Sequence, residues 1–150
     1  MTKTIGRPKI ATTPSRIKLK NNPKGISGAK KRLADSGIWQ SMIDSNPLVV
    51  VCWKQTGCSG CKPFETRVMS KTDKQYKTIP RIDIELVHDK KDPMEELANK
   101  YGIDQTPTAI LLKSGKEVGR VTFGSAGEED PNKEFKRDLE LMQRLLETNA

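Results

Sequence analysis

The chain has 150 residues, which suits one domain with an extension rather than two full domains. It carries 27 Lys and Arg against 19 Asp and Glu, and 34% of its residues are hydrophobic. No apolar run approaches the roughly 18 residues of a membrane span, and the N-terminus lacks the apolar segment of a signal peptide. Three cysteines do not make the disulfide framework of a small secreted protein. We therefore expect a soluble, cytoplasmic protein of a reducing compartment.

The positive charge is concentrated at the N-terminal end of the chain. Residues 1–34 hold ten Lys and Arg and no acidic residue, so residues 35–150 carry a net charge of −2. Prolines and glycines interrupt the basic segment, and its aliphatic side chains are scattered. We predict a largely extended, solvated arm over residues 1–35 and a folded domain over residues 36–150. A mitochondrial transit peptide stays open as an alternative, although Lys exceeds Arg in this segment.

The first half of the predicted domain begins with a helix and continues into a buried strand. Helical spacing over about Ala29–Ser45 places one set of apolar residues on a single face: Leu33, Ile38, Trp39, Met42 and Ile43. The continuous apolar run Leu48–Trp53 is typical of a strand buried on both faces of a sheet. After a turn over Lys54–Cys61, a helix is predicted from about Gly60 to Lys71, with Pro63 in its first turn.

The second half is predicted to alternate strands and helices. Thr72–Thr78 is polar and is expected to be irregular, whereas Arg81–Val87 alternates like a strand. Asp92 and Pro93 open a helix that ends near Tyr101, and Gly102 occupies a position typical of a C-cap glycine. The remaining predicted elements are a hairpin, Thr108–Leu112 and Glu117–Phe123 around Ser114-Gly115, and a helix that starts at Asp130-Pro131. From residue 36 the order is α-β-α-β-α-β-β-α, which predicts an α/β fold with a central mixed sheet flanked by helices.

The segment Cys58-Ser59-Gly60-Cys61 carries the clearest chemical signal, because it lies between a buried strand and a helix. A thiol at a helix N-terminus is stabilised as the thiolate, which is the attacking species in disulfide exchange. Lys54 and Lys62 add positive charge nearby. Cys61, one turn into the helix, is expected to be buried and to resolve a mixed disulfide. A zinc site would need about four ligands, and Cys52 and His88 are the only further candidates, so we predict no metal.

The stretch Trp39–Gly124 resembles thioredoxin, and the resemblance extends over about residues 36–147. It rests on the motifs Trp39-Gln40, Leu48–Trp53, Cys58–Lys62, Tyr101–Ile103, Thr106–Thr108, Lys113–Lys116 and Gly124. The resemblance implies a thioredoxin-like fold and a thiol–disulfide oxidoreductase with no cofactor beyond its redox-active disulfide. It further implies protein disulfide substrates and a dithiol reductant such as a thioredoxin reductase.

The resemblance also implies roles for individual residues. Cys58 would be the nucleophile and Cys61 the resolving cysteine, within an active-site loop that includes Gly57, Ser59, Gly60 and Lys62. Pro107 would be a cis-proline that faces the cysteines, and the Thr106 backbone would pair with an extended substrate.

The chain departs from the family pattern in four features, which together involve five positions. Gly57 replaces the usual Trp before the first cysteine, and Ser59-Gly60 replaces Gly-Pro between the cysteines. Cys52 replaces a buried Asp, and Glu85 is predicted at the position of the Lys that partners that Asp. Cys52 is expected to be an inert core thiol, with a second partner for Cys61 as the alternative reading.

The basic arm suggests a second kind of function. Its cations could contact a polyanion without reading sequence, and the candidates are Arg7, Lys9, Arg16, Lys18, Lys20, Lys24, Lys30, Lys31 and Arg32. No aromatic residue lies in 1–38, which argues against base stacking. The alternative is therefore an accessory or structural subunit docked on a nucleic-acid-containing assembly or an acidic protein, and located in a virion or organelle. A merely solubilising tail also remains open.

Overall fold

The structure is a computed structural model that describes residues 37–86 and 92–150, and the backbone of residues 16–19. The strands are β1 (Arg16–Leu19), β2 (Leu48–Gln55), β3 (Arg81–Leu86), β4 (Thr108–Lys113) and β5 (Lys116–Thr122). Helix α1 covers residues 37–45, α3 covers Pro93–Lys100, and α4 covers Pro131–Asn149. Helix α2 is one continuous run built from Cys61–Phe64, a π-helical segment Glu65–Met69, and Ser70–Gln75. The predicted element order from residue 36 is confirmed over the described residues.

The five described strands form one mixed sheet in the order β1-β3-β2-β4-β5. Strand β2 runs parallel to β3 and antiparallel to β4, and β4 pairs with β5 as the predicted hairpin. Trp53, near the end of β2, pairs with Thr108 at the start of β4. This register brings the loop that follows β2 next to the loop that precedes β4.

Strand β1 corrects one part of the predicted arm over residues 1–35, which was expected to be solvated. Ile17 pairs with Ile82 and Leu19 with Ile84 in a parallel ladder along β3. The open side of β3 presents unpaired backbone N–H and C=O groups, and a short extended segment satisfies them without needing an apolar core of its own. These four residues therefore belong to the sheet. The rest of residues 1–36 lies outside the described part of the chain.

Side chains on the two faces of the sheet pack into two cores. On one face, Trp39, Trp53 and Tyr101 contact one another with ring centroids 5.8–6.5 Å apart, beneath α1 and α3. On the other face, α2 and α4 cover a second set: Val50, Cys52, Phe64, Val68, Met69, Ala109, Leu111, Val121, Phe135, Met142 and Leu146. Strand β2 contributes to both cores, which confirms that it is buried on both faces.

Two local predictions need correction. Helix α2 continues to Gln75 rather than ending near Lys71, because Thr72 is buried and bonds to the Met69 carbonyl. Ile38 was predicted on the buried face of α1 but is 37% exposed. The predicted N-caps are confirmed, since Asp92 accepts a hydrogen bond from the Met94 amide and Asp130 from the Asn132 amide. Among the described residues, no helix is long and apolar enough to cross a membrane.

Candidate active site

Cys58 and Cys61 form a disulfide at the point where the chain passes from β2 into α2. Their Cα atoms lie 5.5 Å apart. Gly57 adopts a φ of +81°, a conformation that side-chain-bearing residues rarely adopt, and so permits the turn before Cys58. Cys61 is the first residue of α2 and is 8% exposed, whereas Cys58 is only partly buried. Cys58 is therefore the more accessible of the two cysteines that form the disulfide.

The loop before β4 packs against the disulfide loop. The Thr106–Pro107 peptide bond is cis, as predicted. The Thr106 hydroxyl donates to the Gln55 side-chain oxygen (3.2 Å), which ties this loop to the end of β2. A Cβ atom at Gly60 would lie 3.6 Å from Cδ of Pro107. The geometry places Pro107 against the segment that joins the two cysteines.

A pocket of about 360 Å³ opens beside the disulfide. Its lining combines the predicted loop with residues of the neighbouring loops: Gln55, Thr56, Gly57, Cys58, Ser59, Gly60, Thr106 and Phe123. The sequence analysis missed three of these residues: Gln55 and Thr56, where β2 ends, and Phe123, which directly follows β5. The Phe123 amide donates to the Pro107 carbonyl (3.1 Å), and its ring stacks on Phe135 with centroids 4.7 Å apart. The sequence offered one sign that Phe123 belongs to the site, because it lies directly before Gly124 at the end of the last predicted strand.

Comparison with known proteins decides the family. The family model described as thioredoxin matches residues 30–135, which is more than half of the chain. The chain belongs to the thioredoxin family. Thioredoxin H2 of Arabidopsis thaliana is 27% identical over 94 residues, covering 60% of this chain and 66% of that protein. Thioredoxin-1 of Saccharomyces cerevisiae is 32% identical over 83 residues, covering 55% of this chain and 75% of that protein.

A solved structure of Plasmodium falciparum thioredoxin aligns with a TM-score of 0.55 at 21% identity, over 76% of this chain and 93% of that one. At this identity the likeness supports the thioredoxin fold alone. The match spans between 56% and 66% of the length of the plant relatives. The family match and these relatives give no support to the docked-subunit interpretation. The side chains of all its candidate cations lie outside the described residues.

The charged residues beneath the thioredoxin-type site differ from the predicted arrangement. Asp83, rather than Glu85, lies opposite Cys52 in the β2–β3 ladder, while Glu85 pairs with Lys54. Glu85 is therefore not the residue opposite Cys52, and a sequence read alone does not fix the register between strands that shows this. Asp83 is itself buried, with 4% of its surface exposed. Asp83 therefore lies beside the buried thiol, and the positive charges of Arg81 and Lys54 also act on that thiol.

Arg81 organises this buried charge cluster. Its guanidinium is 1% exposed and pairs with Glu65, with Asp73 (2.9 Å) and with Asp83 (3.0 Å). Lys54 joins the cluster through Glu65 (3.2 Å) and Asp83 (3.7 Å). The prediction that Lys54 adds positive charge beside Cys58 is corrected accordingly, because its ammonium group is paired with these carboxylates.

Cys52 is a free, fully buried thiol. Burial raises its pKa to about 12, and the negative charge of Asp83 adds to the effect. A thiol with this pKa stays protonated at neutral pH, which agrees with the expectation of an inert core cysteine. Residues 37–86 and 92–150 contain no cluster of three His, Cys, Asp or Glu side chains that could hold a metal ion. His88 lies outside the described residues.

Proposed function

We propose that this protein is a thiol–disulfide oxidoreductase that reduces protein disulfides through Cys58 and Cys61. The observation that carries the proposal is the asymmetry of the disulfide. Cys58 lines an open pocket, whereas Cys61 is buried at the start of α2. An incoming disulfide can therefore reach one sulfur, and the second sulfur is held within reach of the first.

The reaction proceeds in two exchange steps. The Cys58 thiolate attacks one sulfur of the substrate disulfide, so that a mixed disulfide forms and the other substrate sulfur leaves as a thiolate. Cys61 then loses its proton and attacks the Cys58 sulfur, which releases the second substrate thiolate. With the uptake of two protons the substrate becomes a dithiol, and the protein keeps the Cys58–Cys61 disulfide. An external dithiol returns the protein to its reduced form.

The start of α2 supports the assignment of Cys58 as the nucleophile. The amide groups of the first helical turn have no partners within the helix, and the helix dipole adds partial positive charge there. The first turn Cys61–Phe64 contains no acidic residue that would oppose a thiolate. This arrangement favours the thiolate form of Cys58 once the disulfide is reduced.

Substrate contacts are proposed for the loop that packs on the disulfide. Thr106 lines the pocket, and Pro107 lies against Gly60. A substrate segment lying along this loop in an extended conformation would present its disulfide to Cys58. The reductive direction also requires a reducing compartment and a dithiol donor, and we propose a thioredoxin reductase or a similar donor for that role. Gly57, where the family usually has Trp, alters the surface that such a donor would contact.

The test is the dithiothreitol-driven reduction of a model protein disulfide such as insulin. The wild type should turn over, Cys58→Ser should abolish turnover, and Cys61→Ser should accumulate a mixed disulfide with the substrate. Cys52→Ala is the matched control, because it removes the third thiol without touching the disulfide. Equal rates for the wild type and Cys58→Ser would overturn the proposal.

A further inference from the structure

A second cavity, on the outer side of α2 and α4, is distinct from the disulfide pocket. It measures about 460 Å³ and is lined by Arg67, Lys71, Asn132, Phe135, Lys136 and Leu139, which we call the α2–α4 groove. Three of the six residues are cations, and all three are exposed. No carboxylate lines the groove in the described part of the chain. An anionic group would therefore meet positive charge from both helices.

Arg67 is held in place within this groove. Its guanidinium lies over the Phe135 ring, 5.5 Å from the ring centroid, and it donates to the side-chain oxygen of Asn132. These contacts fix the position of the charge without neutralising it, because neither partner is anionic. An ion pair with a ligand would accordingly cost less side-chain entropy than one formed by a freely moving arginine.

The groove adjoins the disulfide pocket through a pair of stacked rings. Phe135 lines the groove, Phe123 lines the disulfide pocket, and the two rings stack at 4.7 Å. Arg67 follows Cys61 by six residues along α2, a rise of about 9 Å. A polypeptide with its disulfide at Cys58 would therefore extend over this groove within a few residues.

We propose that the α2–α4 groove binds an acidic segment of the substrate protein, next to the disulfide that Cys58 attacks. The inference rests on the proposed oxidoreductase function and adds a preference among substrates. The cations are exposed and distributed over two helices, which fits successive carboxylates along a peptide better than one compact phosphate. The aliphatic and aromatic floor of Phe135 and Leu139 suits the apolar parts of such a segment.

The test uses two peptides that contain the same disulfide. In the acidic peptide the flanking residues are Asp and Glu, and in the neutral peptide they are Asn and Gln. The variant Arg67→Gln/Lys71→Gln/Lys136→Gln removes three charges from the groove. The control Lys77→Gln/Lys113→Gln/Lys116→Gln removes three exposed charges at the opposite end of the sheet, where Leu48 pairs with Lys113. A third variant, Arg67→Lys/Lys71→Arg/Lys136→Arg, keeps the charges.

For the wild type we expect kcat/KM to favour the acidic peptide by about tenfold at low salt, and the preference should shrink as salt is added. The groove variant should lose the preference, and the control and the charge-preserving variant should keep most of it. An equal preference in the wild type and the groove variant would overturn the inference while leaving the oxidoreductase function intact.

A binding measurement separates this inference from the proposed function. An acidic peptide with its cysteines replaced by Ser should bind the wild type, and binding should weaken about tenfold in the groove variant, as followed by fluorescence anisotropy. Such binding without any disulfide reduction would support the groove and overturn the proposed function. Inorganic phosphate that binds the groove when the peptide does not would overturn the peptide assignment in favour of a small anionic ligand.

Discussion

Replacing Asp138 with Asn is expected to stabilise the protein at pH 8 and to flatten the dependence of its stability on pH. Asp138 lies on α4 with 0% of its surface exposed, and neither of its carboxyl oxygens accepts a hydrogen bond from the described residues. Its neighbour one helical turn earlier is Glu134, which is also buried. The Glu134 carboxylate accepts hydrogen bonds from the Ala126 amide (3.3 Å) and the Glu128 amide (3.1 Å).

At neutral pH the carboxyl groups of Asp138 and Glu134 carry different charges because their surroundings differ. Burial raises the pKa of Asp138 to about 8, and the hydrogen bond to Glu134 and the charge of Glu134 add to the effect. Burial also raises the pKa of Glu134, but hydrogen bonds from Asp138 and from the backbone of Glu128, Ala126 and Gly124 outweigh it and lower the pKa overall. At neutral pH Asp138 therefore keeps its proton and donates it to the Glu134 carboxylate.

The sign and size of the effect follow from proton linkage. An Asp in the unfolded chain has a pKa of about 3.9, so between pH 4 and 8 the folded state binds more protons than the unfolded state. The contribution of Asp138 to stability is complete below pH 4 and declines as the pH rises towards about 8. The free energy of unfolding therefore falls by at most about 1.4 kcal/mol per pH unit in this range. Because Asp138 is about half ionised at pH 8, the slope is smaller there, and the loss between pH 6 and pH 8 totals about 2 kcal/mol.

Urea unfolding of the oxidised protein at several pH values measures this change. Asp138→Asn keeps the shape of the side chain and its hydrogen bond to Glu134 but has no proton to lose, so its advantage over the wild type should grow by about 2 kcal/mol from pH 6 to pH 8. Glu147→Gln, an exposed change of the same charge on the same helix, is the control and should follow the wild type. A constant difference between Asp138→Asn and the wild type across this range would refute the reasoning.

Two further predictions concern the charge cluster and the buried thiol. Arg81→Met should lower the free energy of unfolding by about 3–5 kcal/mol in the same urea assay, because it leaves the buried Asp83 with only the Lys54 ammonium group, 3.7 Å away, as a counter-charge among the described residues. Arg137→Met breaks only an exposed pair and should cost less than about 1 kcal/mol; equal costs would contradict the role of Arg81. Alkylation of the reduced, folded protein should modify the accessible Cys58 but not Cys52, as read by mass spectrometry, and rapid labelling of Cys52 without denaturant would contradict its burial.

Most of the fold could be predicted because its signals are local. The β-branched run of β2, the Asp-Pro starts of α3 and α4 and the glycine at the hairpin turn each act within a few residues. The Cys58–Cys61 pair is a compact motif of the same kind, whereas the cis peptide bond before Pro107 was implied by the resemblance to thioredoxin. The end of α2 was misjudged because its last residues are polar. They are held by distant partners, since Asp73 pairs with Arg81.

The features that the sequence did not reveal depend on which residues meet across the fold. Strand β1 exists because β3 has an open side, and Asp83 was missed because the register between β2 and β3 was not known. Phe123 enters the site only because the end of β5 lies beside Pro107. A single sequence read alone does not show which residues far apart in the chain will pair.

The direction in which acidic side chains point explains how a nearly neutral domain acquires a basic groove. Residues 35–150 carry a net charge of only −2, so their composition predicts no positive surface. On α2, however, Glu65 and Asp73 turn towards Arg81, and on α4 both Glu134 and Asp138 are buried. The cations of the same two helices stay exposed, and three of them, Arg67, Lys71 and Lys136, line the α2–α4 groove. The buried charge cluster and the carboxyl pair thus withdraw negative charge from the surface on which we place the acidic substrate segment.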